Sequence, residues 1–117
     1  MRKILSLFLS IAIILTTGIN AKIDAASNGV QAAWLTTAWS LDWPKTKNNS
    51  TAQKKELIEI LDTLKDTGIN TVMFQVRPYG DAMYKSSINP WSKELTGTQG
   101  KEPGYDPLAF YNPRSAY

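Results

Sequence analysis

The chain has 117 residues, room for one domain at most, and its 43% apolar and 20% charged residues are the composition of a globular protein rather than a disordered one. It contains no cysteine and no histidine, which excludes disulfides, thiolate metal sites, a cysteine nucleophile, a lipid-modified cysteine and the commonest general base and metal ligand. The formal charge of +3 sits mostly in the first 25 residues; without them ten Lys and Arg face nine Asp and Glu, a net of +1, and no basic patch remains for nucleic acid.

Residues 1–25 are predicted to be a secretory signal peptide. Arg2 and Lys3 form its charged start, Ile4 to Leu15 its apolar run, and Ile19-Asn20-Ala21 and Ile23-Asp24-Ala25 both offer a cleavage pattern. The apolar run is shorter than the about 20 residues a spanning helix needs. The expected location is therefore secreted or in the cell envelope, with membrane contact only through the leader if it stays uncleaved.

Val30 to Thr37 is apolar without clear alternation, which predicts a first strand covered on both faces, with Trp34 in the core. Ala38 to Pro44 follows as a loop. Ser50 predicts a helix start, because Gln53 three residues later completes a capping box. Leu57, Ile58, Leu61 and Leu64 share one face, with Ile60 beside them, and Gly68 followed by Ile69 marks the helix end. Asn70 to Arg77 is the second strand, so strand, helix and strand make a βαβ unit with parallel strands. Pro78 to Tyr105 reads as one long connection whose Tyr79, Tyr84, Trp91 and Tyr105 argue against disorder. Asp106 and Pro107 predict a further helix as N-cap and N1 residues, and Pro113 would break it early. Two strands and so little helix cannot close a core buried on both faces. Residues 30–117 are thus expected to be the N-terminal piece of a larger α/β protein.

The chemistry is expected just past the carboxyl ends of the two strands, where parallel α/β folds place their sites. Trp39, Asp42 and Trp43 follow the first strand, and Arg77, Asp81 and Tyr84 follow the second, with Tyr79 among them and Trp91 further along the loop. Indoles beside carboxylates and a guanidinium suit a sugar, because aromatic faces stack on pyranose rings and charged groups bond hydroxyls. Each residue also has a plainer reading. Trp39, Trp43 and Trp91 could be loop packing. Arg77 could pair with Asp81 as a loop staple. Gln75 could point into a barrel or into the site. No acid–base pair of the kind a glycoside hydrolase needs stands out, and no phosphate-binding glycine pattern is present.

Several segments together resemble the bacterial glycosyl hydrolase-like family 10. They are Ala33-Trp34-Leu35-Thr36-Thr37, Leu41-Asp42-Trp43-Pro44, Gly68-Ile69-Asn70-Thr71-Val72, Phe74-Gln75-Val76-Arg77-Pro78, Gly80-Asp81-Ala82-Met83-Tyr84, Pro90-Trp91-Ser92, Leu95-Thr96-Gly97, Gly100 and Pro103-Gly104-Tyr105-Asp106-Pro107-Leu108. The resemblance implies an incomplete (β/α)8 TIM barrel of which this chain holds the first two βα units. It implies a carbohydrate substrate, with bacterial cell-wall glycan the natural candidate, and hydrolysis by a carboxylate pair with no cofactor and no metal. Trp39, Asp42, Trp43, Gln75, Arg77, Asp81, Tyr84 and Trp91 are the expected substrate-binding residues, and the catalytic carboxylates are expected outside this stretch, so that the piece alone is inactive. The rival expectation is a non-catalytic glycan-binding protein using the same aromatic cleft.

Overall fold

The computed structural model describes residues 29–112; the expected leader and the segment after Asn112 lie outside them. Strand β1 (Ala32–Leu35) leads through a 3₁₀ turn (Ala38–Ser40) to helix α1 (Ser50–Asp66), then to β2 (Thr71–Phe74), α2 (Lys93–Thr96) and α3 (Pro107–Tyr111). The two strands pair in parallel, Ala32 opposite Thr71 and Leu35 opposite Phe74, and α1 is the crossover that parallel pairing requires.

Both strands are shorter than predicted because their last carbonyls are captured by loops. The Thr36 carbonyl accepts the N–H groups of Asp42 and Trp43, and the Val76 carbonyl accepts that of Met83. Side chains alternate along each strand. Leu35, Val72 and Phe74 join the core with Leu57, Ile60 and Leu61 of α1. Trp34 and Met73, paired across the register, stand on the other face, and Trp34 is 59% exposed. The expectation of a core Trp34 is therefore corrected, since among the described residues the helix covers one face of the sheet only.

Helix α1 does not begin with the predicted capping box. Asn49 is the N-cap, its Oδ1 accepting the Ala52 N–H at 3.0 Å. Gln53 is free of capping duty because it lies one turn before Leu57 on the core stripe. At the other end the prediction holds. Gly68, at φ 87°, donates to the Lys65 carbonyl, and Ile69 donates to the Leu64 carbonyl. That pair of bonds closes the helix in the Schellman manner.

Gln53 is fully buried and acts as the polar centre of the core. Its amide nitrogen donates to the carbonyls of Thr46 and Leu95, both at 2.7 Å, and its oxygen accepts from the Tyr105 hydroxyl at 2.8 Å. Its backbone carbonyl accepts the Trp43 indole N–H at 2.8 Å. Burial, reinforced by the Glu56 carboxylate, pushes the Tyr105 phenol far above its ordinary pKa, so it remains a donor.

The long connection after β2 is ordered by backbone bonds. Ala82 and Trp91 form a parallel bridge, the Ala82 N–H reaching the Pro90 carbonyl and the Ser92 N–H reaching that of Ala82. The segment buries Met83 and Leu95 completely. Asp106 caps α3 as expected, Oδ1 accepting from Ala109, while Oδ2 accepts the Lys85 N–H and ties the loop down.

Replacing Gln53 by the apolar near-isostere Met would strand the Thr46 carbonyl and the Tyr105 hydroxyl and leave the Leu95 carbonyl with the Asn48 N–H alone. Gln53→Met should lower the unfolding free energy by about 3 kcal/mol or more in urea titrations; a loss below about 1 kcal/mol would show the amide to be dispensable.

Candidate functional site

The loops that leave the carboxyl ends of β1 and β2 are locked to each other before they present anything to solvent. Gln75 does this. Its Oε1 accepts the N–H groups of Thr37 and Ala38, both at 2.9 Å, and its backbone carbonyl accepts the Thr37 hydroxyl at 2.7 Å. Gln75 is thus turned into the neighbouring loop and bridges the two loops.

Beyond this lock the chain makes a strained turn. Trp39 and Ser40 have φ values of 53° and 52°, a region costly for residues with a side chain. Hydrogen bonds hold both. The Trp39 N–H donates to the Tyr79 hydroxyl at 2.6 Å, and the Ser40 hydroxyl donates to Glu94 Oε2 at 2.6 Å. Lys45 Nζ donates to the carbonyls of Ser40 and Leu41. The turn projects the Trp39 indole outward, 74% exposed, edge-on to Tyr79 with ring centroids 6.0 Å apart. Lys93 Nζ lies 4.7 Å from the centroid of the Tyr79 ring.

Glu94, 3% exposed, is the anionic centre of this group. Burial alone would raise its pKa. The Ser40 hydroxyl and the Lys47 ammonium at 3.0 Å donate to it and, with the nearby Tyr79, outweigh burial, holding its carboxyl below the ordinary glutamate range. Neither Glu94 nor its link to Ser40 was expected from sequence. A glutamate in the first turn of a helix reads as an ordinary charge there, and its partner is 54 residues away. Tyr79 was noted in the loop but not among the expected substrate-binding residues.

The other expected residues are dispersed. Asp42 accepts the Thr36 N–H at 2.7 Å and lines a depression beside α1 with Lys45, Glu56 and Ile60. Trp43, expected at the substrate face, is instead fully buried and edge-on to Phe74, because its indole N–H has its acceptor on Gln53. Arg77 is exposed and does staple its loop, but through Asn89 Oδ1 at 3.0 Å and the Gly80 carbonyl at 3.3 Å rather than through Asp81. Asp81 is fully buried; Oδ1 accepts the Tyr79 N–H at 3.3 Å, and Oδ2 has no partner among the described residues. Tyr84 is half-buried, and no hydrogen bond or ring contact joins it to the others among the described residues. Trp91 packs against the core.

The surface that results is an exposed indole flanked by a phenol and the exposed Lys93 ammonium, with the guanidinium of Arg77 exposed on the second loop. It can stack on the C–H face of a ring and donate to oxygens around it. Among the described residues of this surface, Glu94 and Asp81 are both buried and offer no open carboxylate pair. A cavity of about 510 Å³ lies elsewhere, among Leu61, Leu64, Ile69, Val72 and Tyr111 beside the start of β2. The strand ends where α/β sites form are the opposite ones.

The family model for Glycosyl hydrolase-like 10 matches residues 29–113. Among curated proteins, the chain is 48% identical over 82 residues to glycosyl hydrolase YngK of Bacillus subtilis (strain 168), an alignment covering 69% of this chain and 16% of that protein. It is 43% identical over 98 residues to glycosyl hydrolase DigH of Escherichia coli (strain K12), covering 77% of this chain and 22% of that protein. The chain therefore spans about a fifth or less of the length of the curated relatives it matches.

Two buried carboxylates each give an expectation. The contribution of Glu94 exists where its carboxyl is ionised when folded, so it is present at neutral pH and lost as pH falls below about 4.3 through the lowered folded value. The stability advantage of wild type over Glu94→Gln should be full at pH 6 and shrink in acid; an advantage that grows in acid would contradict this. Asp81→Asn keeps an acceptor for the Tyr79 N–H but puts a buried amide NH2 where Oδ2 has no partner among the described residues. It should destabilise by about 1 kcal/mol in thermal unfolding. An unchanged or raised Tm would show that the amide finds an acceptor there.

Proposed function

The chain belongs to the Glycosyl hydrolase-like 10 family, and on that premise we propose that it forms the first two βα units of an exported (β/α)8 glycoside hydrolase-like protein that binds bacterial cell-wall glycan. The parallel β1–α1–β2 unit agrees with this architecture. The charged and apolar leader in residues 1–25 supports export.

One observation carries the site reading. At the carboxyl ends of the strands an indole is held in the open by a strained, hydrogen-bonded turn, with Tyr79 beside it and Arg77 exposed on the second loop. What points to a partner here is the held turn and the polar groups around the indole, rather than its exposure alone. Pyranose rings supply the matching surface, with axial C–H groups to lie on the indole and hydroxyls to accept from the guanidinium and ammonium groups. Trp39, Tyr79 and Arg77 form the glycan-binding surface of this stretch.

Hydrolysis of a glycosidic bond needs an acid and a base or nucleophile about 5 Å apart for retention and farther for inversion. The Trp39 surface offers no such open pair, since Glu94 and Asp81 are buried; in this reading the catalytic carboxylates come from the rest of the full-length protein, and this stretch contributes binding. The same observation favours the second reading, a glycan-binding protein without hydrolysis. Release of reducing ends from purified cell-wall glycan by the full-length protein separates the two.

In the full-length protein, Trp39→Ala should weaken binding of cell-wall glycan oligosaccharides about tenfold in calorimetric titration, the loss expected of one stacked ring. Arg77→Ala should weaken it too, with a small fall in Tm from the lost Asn89 contact. Unchanged affinity in both variants would remove the surface from the site.

A further inference from the structure

Glu94 is too buried to act on a ligand, yet it ties its own connection after β2 to the one between β1 and α1. The turn after β1 reaches it through Ser40, and the same connection returns through Lys47. The Ser40 contact lies next to Trp39: Ser40 is its neighbour in the strained pair, while the Trp39 N–H is held separately by the Tyr79 hydroxyl.

We propose that Glu94 is a positioning residue that fixes the Trp39 indole in advance as a stacking platform for one pyranose ring. The proposal rests on the glycan-binding reading above and assigns it a support. Two consecutive residues at positive φ relax to ordinary backbone unless their surroundings over-determine them. Here two contacts supply the over-determination: Glu94 holds the Ser40 hydroxyl on one side, and Tyr79 holds the Trp39 backbone on the other. An exposed tryptophan left to itself samples several rotamers and must be ordered when a ligand arrives. A ring already ordered spares the ligand that entropy. Glu94 thus acts on affinity through Trp39 and touches no substrate.

The test uses the full-length protein labelled with 5-fluorotryptophan, the Trp39 resonance being assigned by its loss in Trp39→Phe. Glu94→Ala should narrow that resonance and move it toward the free-tryptophan frequency, and weaken binding of a cell-wall glycan tetrasaccharide about three- to tenfold. The same substitution placed on Trp39→Ala should cost nothing further, the non-additivity of two residues acting as one unit. Glu94→Gln, which keeps the chain length and an acceptor for Ser40, should show the same changes at smaller size if the alanine variant does not fold. An unaltered Trp39 resonance in Glu94→Gln or Glu94→Ala overturns the positioning role whatever the glycan does. Equal affinity loss in the presence and absence of the Trp39 side chain overturns it also. A resonance that responds while Trp39→Ala binds glycan as wild type does overturns the proposal, because the indole is then no stacking platform.

Discussion

A single buried amide governs how this stretch is put together. Gln53 sits where an apolar residue would continue the stripe of α1, and it uses that place to join the loop before the helix, the short helix α2 and Tyr105. A buried polar group left unpaired costs more than a paired one contributes. Gln53 is therefore an all-or-none device: with every partner present it selects one arrangement of three loops, and with any partner missing it penalises the alternative.

The surface group inherits its geometry from that device. Helix α2 has four residues and cannot maintain itself by local bonds. Its place is set by the Leu95 carbonyl, which accepts both from Gln53 and from the Asn48 N–H at 2.8 Å. Once Leu95 is fixed, its neighbour Glu94 is delivered to Ser40 and Lys47. A core amide and an exposed indole are thus coupled through a few short links, none of which lies in a regular strand or long helix. Gln75 performs the corresponding service at the strand ends, where it matches the two loops to each other.

Much of this was legible in the sequence where the information is local. The amphipathic run of α1, the Gly68–Ile69 stop, the parallel βαβ unit and the Asp106–Pro107 start depend on residues a few positions apart. What escaped depends on pairings across the fold. Gln53 matched a capping box equally well as a core position, and the choice was settled by Asn49 and by acceptors more distant in sequence. Trp43 looked like Trp39 in the same loop, but only one of the two indoles finds a buried acceptor. Glu94 carried no local signal at all. The strands were read too long because the carbonyls of Thr36 and Val76 are spent on loops, which no period of side chains reports.

The sheet described above has two strands, so each is also an edge. Ala32-Ala33-Trp34-Leu35 and Thr71-Val72-Met73-Phe74 carry no charge and no proline, the usual gatekeepers against stray pairing. With Trp34 and Met73 uncovered on one face, such a unit by itself presents both the backbone and the side-chain surface that seed intermolecular β-structure. Its solubility is therefore a property of what covers it: kept apart from that cover, in a cell or in a tube, it is set to aggregate with increasing concentration while its own hydrogen bonds remain intact.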